Sequence, residues 1–390
     1  MSKACASPPA PSGPQQPLAH EAPVLFSTLH AGAFRIGLAS LNRPRQLNVL
    51  NLDMVRRLSA QLRQWRSDQS IAAVILRGEG ERAFCAGGDV AEVVRQARAL
   101  PGHPARFAYG DAFFEEEYLL DRFVHHFGKP LVVFSHGVNM GGGLGLSQGA
   151  SHRIVAEDAR LAMPEIQIGL FPDVGAGHFL HRLPPGVGLA MAISGLTLNE
   201  ADALDAGLFH AFLPRSLWDN AIDRLASAVF SRNWEENHAT VTAWMQASAL
   251  QLRGSLCGGE ILSRRSALQR IGLSVSPEGA LQAFEDAARE DPWFEAPLHR
   301  LSTGSALSAK VIFRFLRITP RLSLDEVFAL DTVLARQFLR REDFQEGVRA
   351  LLIDKDRKPR WKYATLAQVP GWEVGAHFAA IVSDDPREAG

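Results

Sequence analysis

Cysteine is scarce: Cys5, Cys85 and Cys257 are spread over 390 positions. An odd number at such distances builds no disulfide framework and no C-x-x-C metal spacing, which points to a reducing, cytoplasmic setting. Net charge is scarce too. At −1 it provides no basic excess that would call for nucleic acid or an anionic membrane as partner. No stretch reaches the roughly 18 uninterrupted apolar residues of a membrane span. No H-E-x-x-H occurs, and the adjacent His125 and His126 point apart on a predicted helix, so no metal is expected. The opening "MSKACASPPAPSGPQQPLAH" lacks the apolar core of a secretory signal and the arginines of a transit peptide. Its Pro, Ser and Gln content predicts a disordered tail over residues 1–20.

What the chain does contain is a clear change of character near residue 215. Before it, "VLFSTLHAGAFRIGLASL" reads as two strands around a turn at His30–Gly32, and "IAAVILRG", "KPLVVFSHG" and "HRIVAED" read as buried strands. Helical periodicity separates them. Met54, Val55, Leu58, Leu62 and Trp65 share one helical face, "DVAEVVRQARAL" starts behind an Asp89 N-cap, and "DAFFEEEYLLDRFVHHF" has an aromatic side. Strands alternating with helices predict an α/β layer structure over residues 21–215. From Ser216 to residue 390 only helical patterns follow, among them "SALSAKVIFRFLRI" and "SLDEVFALDTVLARQFLR".

The stretch "MGGGLGLSQG", Met140 to Gly149, supports three chemistries. Gly145, Ser147 and Gly149 form the G-x-S-x-G of a serine nucleophile elbow, which needs its serine on a tight turn straight off a strand. Here the strand ends near His136, eleven residues earlier, so Ser147 is expected to face into or along a helix. Gly143, Gly145 and Gly149 resemble a dinucleotide phosphate loop, but the acidic Glu157 and Asp158 come too early for one. The third reading uses glycine for bare backbone. "RAFCAGGD", Arg82 to Asp89, also lies between a strand and a helix. Two such loops can aim one N–H each at a single oxygen, with helix N-termini adding partial positive charge. Loss of one donor from such an oxyanion hole typically costs about 3–4 kcal/mol of transition-state stabilisation.

A reacting group lies downstream in "AMPEIQIGLFPDVGAG". Pro164, Gly169 and Pro172 interrupt the segment, so Glu165 and Asp173 cannot share one helix. Glu165 has Met163, Ile166, Ile168, Leu170 and Phe171 for company, and a carboxylate there is either desolvated for a purpose or paired for stability. Cys85, inside the first glycine loop, reads as a small buried apolar residue with no base near it in sequence.

These residues bring a family into view. "RAFCAGGDV", "HGVNMGGGLGLS", "AMPEIQIGLFPDVGAGHFLHRL" and "LNEADALDAGLFHAFLP" resemble the crotonase (enoyl-CoA hydratase/isomerase) superfamily. "FFEEEYLL" and "REDFQEGVRALLIDKDRKPRWKYATL" are similar to its 3-hydroxyisobutyryl-CoA hydrolase branch. The resemblance implies a spiral of ββα units followed by an α-helical C-terminal region. It implies an acyl-coenzyme A substrate and no separate cofactor. Its thioester oxygen would lie between the N–H groups of Ala86 and Gly142, with Glu117, Gly142, Glu165 and Asp173 as substrate contacts. Arg43 or Arg45 would meet the nucleotide phosphates. Superfamily members are often trimers, so a homo-oligomer is allowed, although the extra helices compete for that surface.

One departure bears on the reaction. Hydratases place a glutamate just after the glycine triplet, where this chain has Gly145, and a small residue where it has Asp173. Glu165 matches the second hydratase glutamate. A carboxylate beside an oxyanion hole can attack a thioester or direct water at it. The expectation is therefore hydrolysis of a short hydroxyacyl-CoA, with Glu165 as nucleophile or general base. Asp173 and Glu117 would bind the hydroxyl or position the water.

Overall fold

Strand polarity separates two sheets. The computed structural model describes residues 22–249, 256 and 258–379. β1 (Val24–Ala31) and β2 (Phe34–Leu41) form an antiparallel hairpin, and β3 (Ile71–Gly78), β5 (Leu131–Ser135), β7 (His152–Val155) and β9 (Ala211–Phe212) extend it in parallel in the order β1-β2-β3-β5-β7-β9. A second, parallel sheet has the order β4-β6-β8, from β4 (Ala83–Cys85), β6 (Val138–Met140) and β8 (Arg160–Ala162). Each successive ββ unit gives its first strand to the large sheet and its second to the small one. This is the ββα spiral, and the loops that matter chemically all leave the small sheet.

The small-sheet strands escaped the sequence reading because each has three residues, too few for a period of two to show. The longer elements match it. α1 (Leu52–Ser67) buries Met54, Val55, Leu58, Leu62 and Trp65 and is capped by Asn51, whose side chain accepts from the Met54 N–H. α2 (Val90–Ala99) is capped by Asp89, and α3 (Ala108–His125) buries Phe113, Phe114, Glu117, Tyr118 and Asp121 on one side. α4 (Gly142–Gly149) is short and wholly enclosed up to Gln148.

Beyond Phe212 no strand occurs among the described residues. Two helices there, Trp218–Ala226 and Trp234–Ala249, place Trp218, Ile222, Val241 and Trp244 against Ala73, Ile75, Val132 and Phe134 of the large sheet. The later helices go elsewhere. Phe315, Leu334, Phe338 and Phe344 join Val93, Phe113, Tyr118 and Leu170 in one apolar cluster, so residues on both sides of position 215 share a core. Ser323 and Glu326 form a capping box that starts the helix Leu324–Leu339 along α3.

The step between sheets depends on Gly137. It turns with φ +53 between β5 and β6, and a Cβ there would run into the Arg82 carbonyl. Gly137→Ala is expected to destabilise the fold by at least about 2 kcal/mol. A urea titration should show a lower midpoint at unchanged slope.

Candidate active site

Two loops from the small sheet face each other. After β4 the chain runs through Ala86, Gly87 and Gly88 into α2. After β6 it runs through Gly141 into α4. Here the structure corrects one expected donor. The Ala86 N–H donates to the Leu47 carbonyl oxygen at 3.0 Å, and the Asp89 N–H to that of Leu50 at 2.7 Å. The amide left between them that faces the second loop is Gly88's. Neither it nor the Gly142 N–H, at the start of α4, has a partner among the described residues. A Cβ built on Gly142 would lie 3.4 Å from the Gly88 nitrogen, so the two backbones nearly touch. The sequence could not show that the Ala86 amide is taken, because the pairing with Leu47–Leu50 that consumes it is a tertiary contact.

Arg43 is already partly engaged. Its Nη1 donates to the Val49 carbonyl at 2.8 Å and reaches Asp89 Oδ2 at 3.3 Å, which ties the donor loop to the Pro44–Gln46 turn. Arg45, on that turn, is exposed and does not line the cavity.

The carboxylates converge on these loops. Glu117, on α3, presses Oε1 against Gly88 and Gly142. A Cβ on Gly88 would lie 3.3 Å from that oxygen, and one on Gly142 would collide with it. Glu165 opens a 3₁₀ turn, Glu165–Ile168, that ends at Gly169 with φ +68, and a Cβ on Gly141 would come within 2.9 Å of its Oε1. Asp173 follows on the next turn and accepts from the Tyr118 hydroxyl at 2.6 Å. All three are almost fully buried, and Glu117 Oε1 and Glu165 Oε2 have no hydrogen-bond partner among the described residues. Together with Phe114, Met140, Ile168, Leu170, Leu351 and Leu352 they line one cavity. Leu351 and Leu352 precede the charge run "DKDRKPRW", residues 354–361, which is mostly exposed. The Arg349 guanidinium, bonded to Glu346, Asp354 and Asp356, shapes that segment.

Enclosure sets the electrostatics. Burial pushes the Glu165 carboxyl well above its usual range, and the neighbouring Asp173 charge adds to this. Glu117 is raised for the same two reasons. Asp173 is raised by burial to about 6, less than the others because the Tyr118 hydroxyl and a backbone N–H support its charged form. Three carboxyls around one apolar cavity cannot all ionise freely, so ionisation of one opposes that of the others.

Two rival nucleophiles drop out. Ser147 is fully buried, accepts from Asn139 Nδ2 at 2.8 Å and donates to the Gly143 carbonyl at 2.8 Å. It braces α4 as expected and cannot act as an elbow. Burial pushes the Cys85 thiol up to about 12, which keeps it protonated.

At Gly145 there is no space for a longer side chain. A Cβ would lie 2.6 Å from Val174 Cβ and 2.9 Å from Asp121 Oδ2. Val174 holds φ +53, a left-handed conformation that costs a β-branched residue about 1–3 kcal/mol, next to Gly175 at φ +79. The Asp173–Gly175 turn thus fills the place beside α4 while it carries Asp173 into the cavity.

Comparison with known proteins settles the lineage. Residues 36–378 match the family model described as enoyl-CoA hydratase/isomerase. The chain belongs to the enoyl-CoA hydratase/isomerase family. As a family member it is an acyl-CoA enzyme of crotonase fold. Among its curated relatives, 3-hydroxyisobutyryl-CoA hydrolase, mitochondrial, of Danio rerio is 33% identical over 356 residues, with 90% of this chain and 89% of the relative covered. The Homo sapiens protein of the same name is 34% identical over 350 residues, with 90% and 87% covered. A crystal structure described as an enoyl-CoA hydratase from Rhodobacter sphaeroides 2.4.1 superposes with TM-score 0.80 at 30% identity, covering 92% of this chain and 98% of that one. One described as a carnitinyl-CoA dehydratase from Mycobacterium thermoresistibile gives 0.79 at 29%, covering 93% and 97%. Among the described residues no helix is long and apolar enough to cross a membrane.

Two outcomes follow for this family member. Gly145→Glu, which installs the missing hydratase carboxylate, should destabilise by about 3 kcal/mol or more through overpacking and burial of charge, and should bring no gain in crotonyl-CoA hydration. Thermal melts and loss of enoyl absorbance check it. The second concerns pH. A carboxyl raised in the folded state favours folding while protonated, so the Asp173 contribution is full below about pH 4 and is lost as pH rises through about 6. Asp173→Asn should therefore be more stable relative to wild type at pH 8 than at pH 4. A pH-independent difference in urea midpoint counts against it.

Proposed function

We propose that the protein hydrolyses a short hydroxyacyl-CoA thioester, 3-hydroxyisobutyryl-CoA first among them, to the hydroxy acid and free coenzyme A. The observation that carries this reading is the closed position at Gly145, where Val174 and Asp121 leave no room for the glutamate that the resemblance to hydratases would call for there. The names of the curated relatives support it.

In this reading the thioester oxygen lies between the N–H groups of Gly88 and Gly142, which stabilise the oxyanion of the tetrahedral intermediate. Glu165, ionised, acts on the carbonyl carbon. It either attacks directly, giving a mixed anhydride that water then cleaves, or takes a proton from the attacking water. Collapse expels the coenzyme A thiolate, a good leaving group that needs little acid assistance. Asp173 and Glu117 meet the substrate hydroxyl or the water. Leu351 and Leu352 exclude bulk solvent from above the acyl group.

A second reading has one observation in its favour. Glu117 Oε1, unpartnered in the same cavity as Glu165, could replace the missing glutamate in hydration or dehydration of an enoyl-CoA.

Incubation with 3-hydroxyisobutyryl-CoA and a thiol reagent, beside crotonyl-CoA followed by absorbance, separates the two. Release of thiol is expected, with kcat lowered about 10³-fold in Glu165→Gln. Absence of thiol release together with turnover of crotonyl-CoA would overturn the hydrolase reading.

A further inference from the structure

The turn that carries Asp173 is strained, and its restraint comes from far along the chain. Val174 at φ +53 and Gly175 at φ +79 hold a backbone path that the local sequence does not favour. The Ala176 N–H closes the turn on the Asp173 carbonyl at 2.9 Å. The Gly175 N–H points the other way and donates to Asp331 Oδ2 at 2.8 Å. Asp331 sits in the middle of the helix Leu324–Leu339, is fully buried, and makes no ion pair among the described residues. Its other oxygen, Oδ1, is buried without a partner. One turn earlier on the same helix, the Phe328 ring closes on Gly175, with Cζ 2.9 Å from where a Cβ would stand. A buried carboxylate facing the backbone of a strained turn is a costly arrangement for the fold, and a hydrophobic residue in that place would pack more easily.

We infer that Asp331 is a positioning residue: by accepting the Gly175 N–H it sets the Asp173–Gly175 turn and thereby aims Asp173 into the acyl cavity. Asp331 itself does not line the cavity. Its effect passes through one hydrogen bond to the residue two positions beyond Asp173. This rests on the hydrolase reading in so far as Asp173 meets the substrate hydroxyl.

The test compares 3-hydroxyisobutyryl-CoA with isobutyryl-CoA, which lacks the hydroxyl. Asp331→Leu should lower kcat/KM for the hydroxylated substrate about 30-fold or more and for the plain thioester by a clearly smaller factor, with the same ratio between the two substrates that Asp173→Asn gives. Asp331→Asn keeps an acceptor oxygen and should restore most of the loss. The Asp173→Asn, Asp331→Leu double variant should be no worse than Asp173→Asn alone, because both act through one group. Additive losses, or equal losses on both substrates, overturn the inference. If Asp331→Leu fails to fold, Asp331→Ser, whose hydroxyl is too short to reach, carries the same expectations. Hydrogen exchange without substrate separates this claim from the hydrolase reading. The Gly175 amide should exchange faster in the Leu or Ser variant and be protected again in Asp331→Asn. That pattern supports the clamp even if the wild type hydrolyses neither thioester, and an unchanged Gly175 rate overturns it.

Discussion

The site depends on how closely a carboxyl group can approach a main chain. Glu117 and Glu165 press against backbone at Gly88, Gly141 and Gly142, where any Cβ would stand within about the van der Waals limit of a carboxyl oxygen or inside it. Glycine is required at these points for space, and at Gly141, with φ +51, for conformation too. The same bareness leaves the Gly88 and Gly142 amides facing one gap. The bare amides and the buried carboxyl groups are thus products of one constraint.

A second dependence runs from the helical C-terminal part into the α/β part. Leu351 and Leu352 line the cavity, and Phe338 and Phe344 share the core that surrounds it. The helix Leu324–Leu339 also supplies Asp331 to the turn that holds Asp173. That turn does two things at once. It presents a carboxyl to the cavity, and through Val174 it closes the position at Gly145.

Much was legible from residue order. Helices with a clear apolar face, such as Leu52–Ser67, and the Asp89 cap were readable because their causes are local. The three-residue strands were not, since their pairing partners lie some 20 to 55 residues away and the strands are shorter than any pattern. At the site, Glu117, Gly142, Glu165 and Asp173 do meet in one cavity. The Ala86 amide was misassigned because it is claimed by the Leu47 carbonyl, a partner that sequence distance hides. Tyr118, which donates to Asp173, carried no signal beyond standing beside Glu117.

Residue order by itself determined the alternation of strands and helices, the switch to helices near residue 215, the glycine-bared loops and the apolar setting of Glu165. Each of these is written in neighbours within one or two turns of chain. Only the tertiary structure decided which amides stay free, which arginine is already bonded, that Gly145 is closed by Val174, and that Asp331 reaches Gly175. Those outcomes rest on hydrogen bonds and contacts between segments brought together by burial of a common core, and no local pattern encodes which of several equivalent partners will be taken.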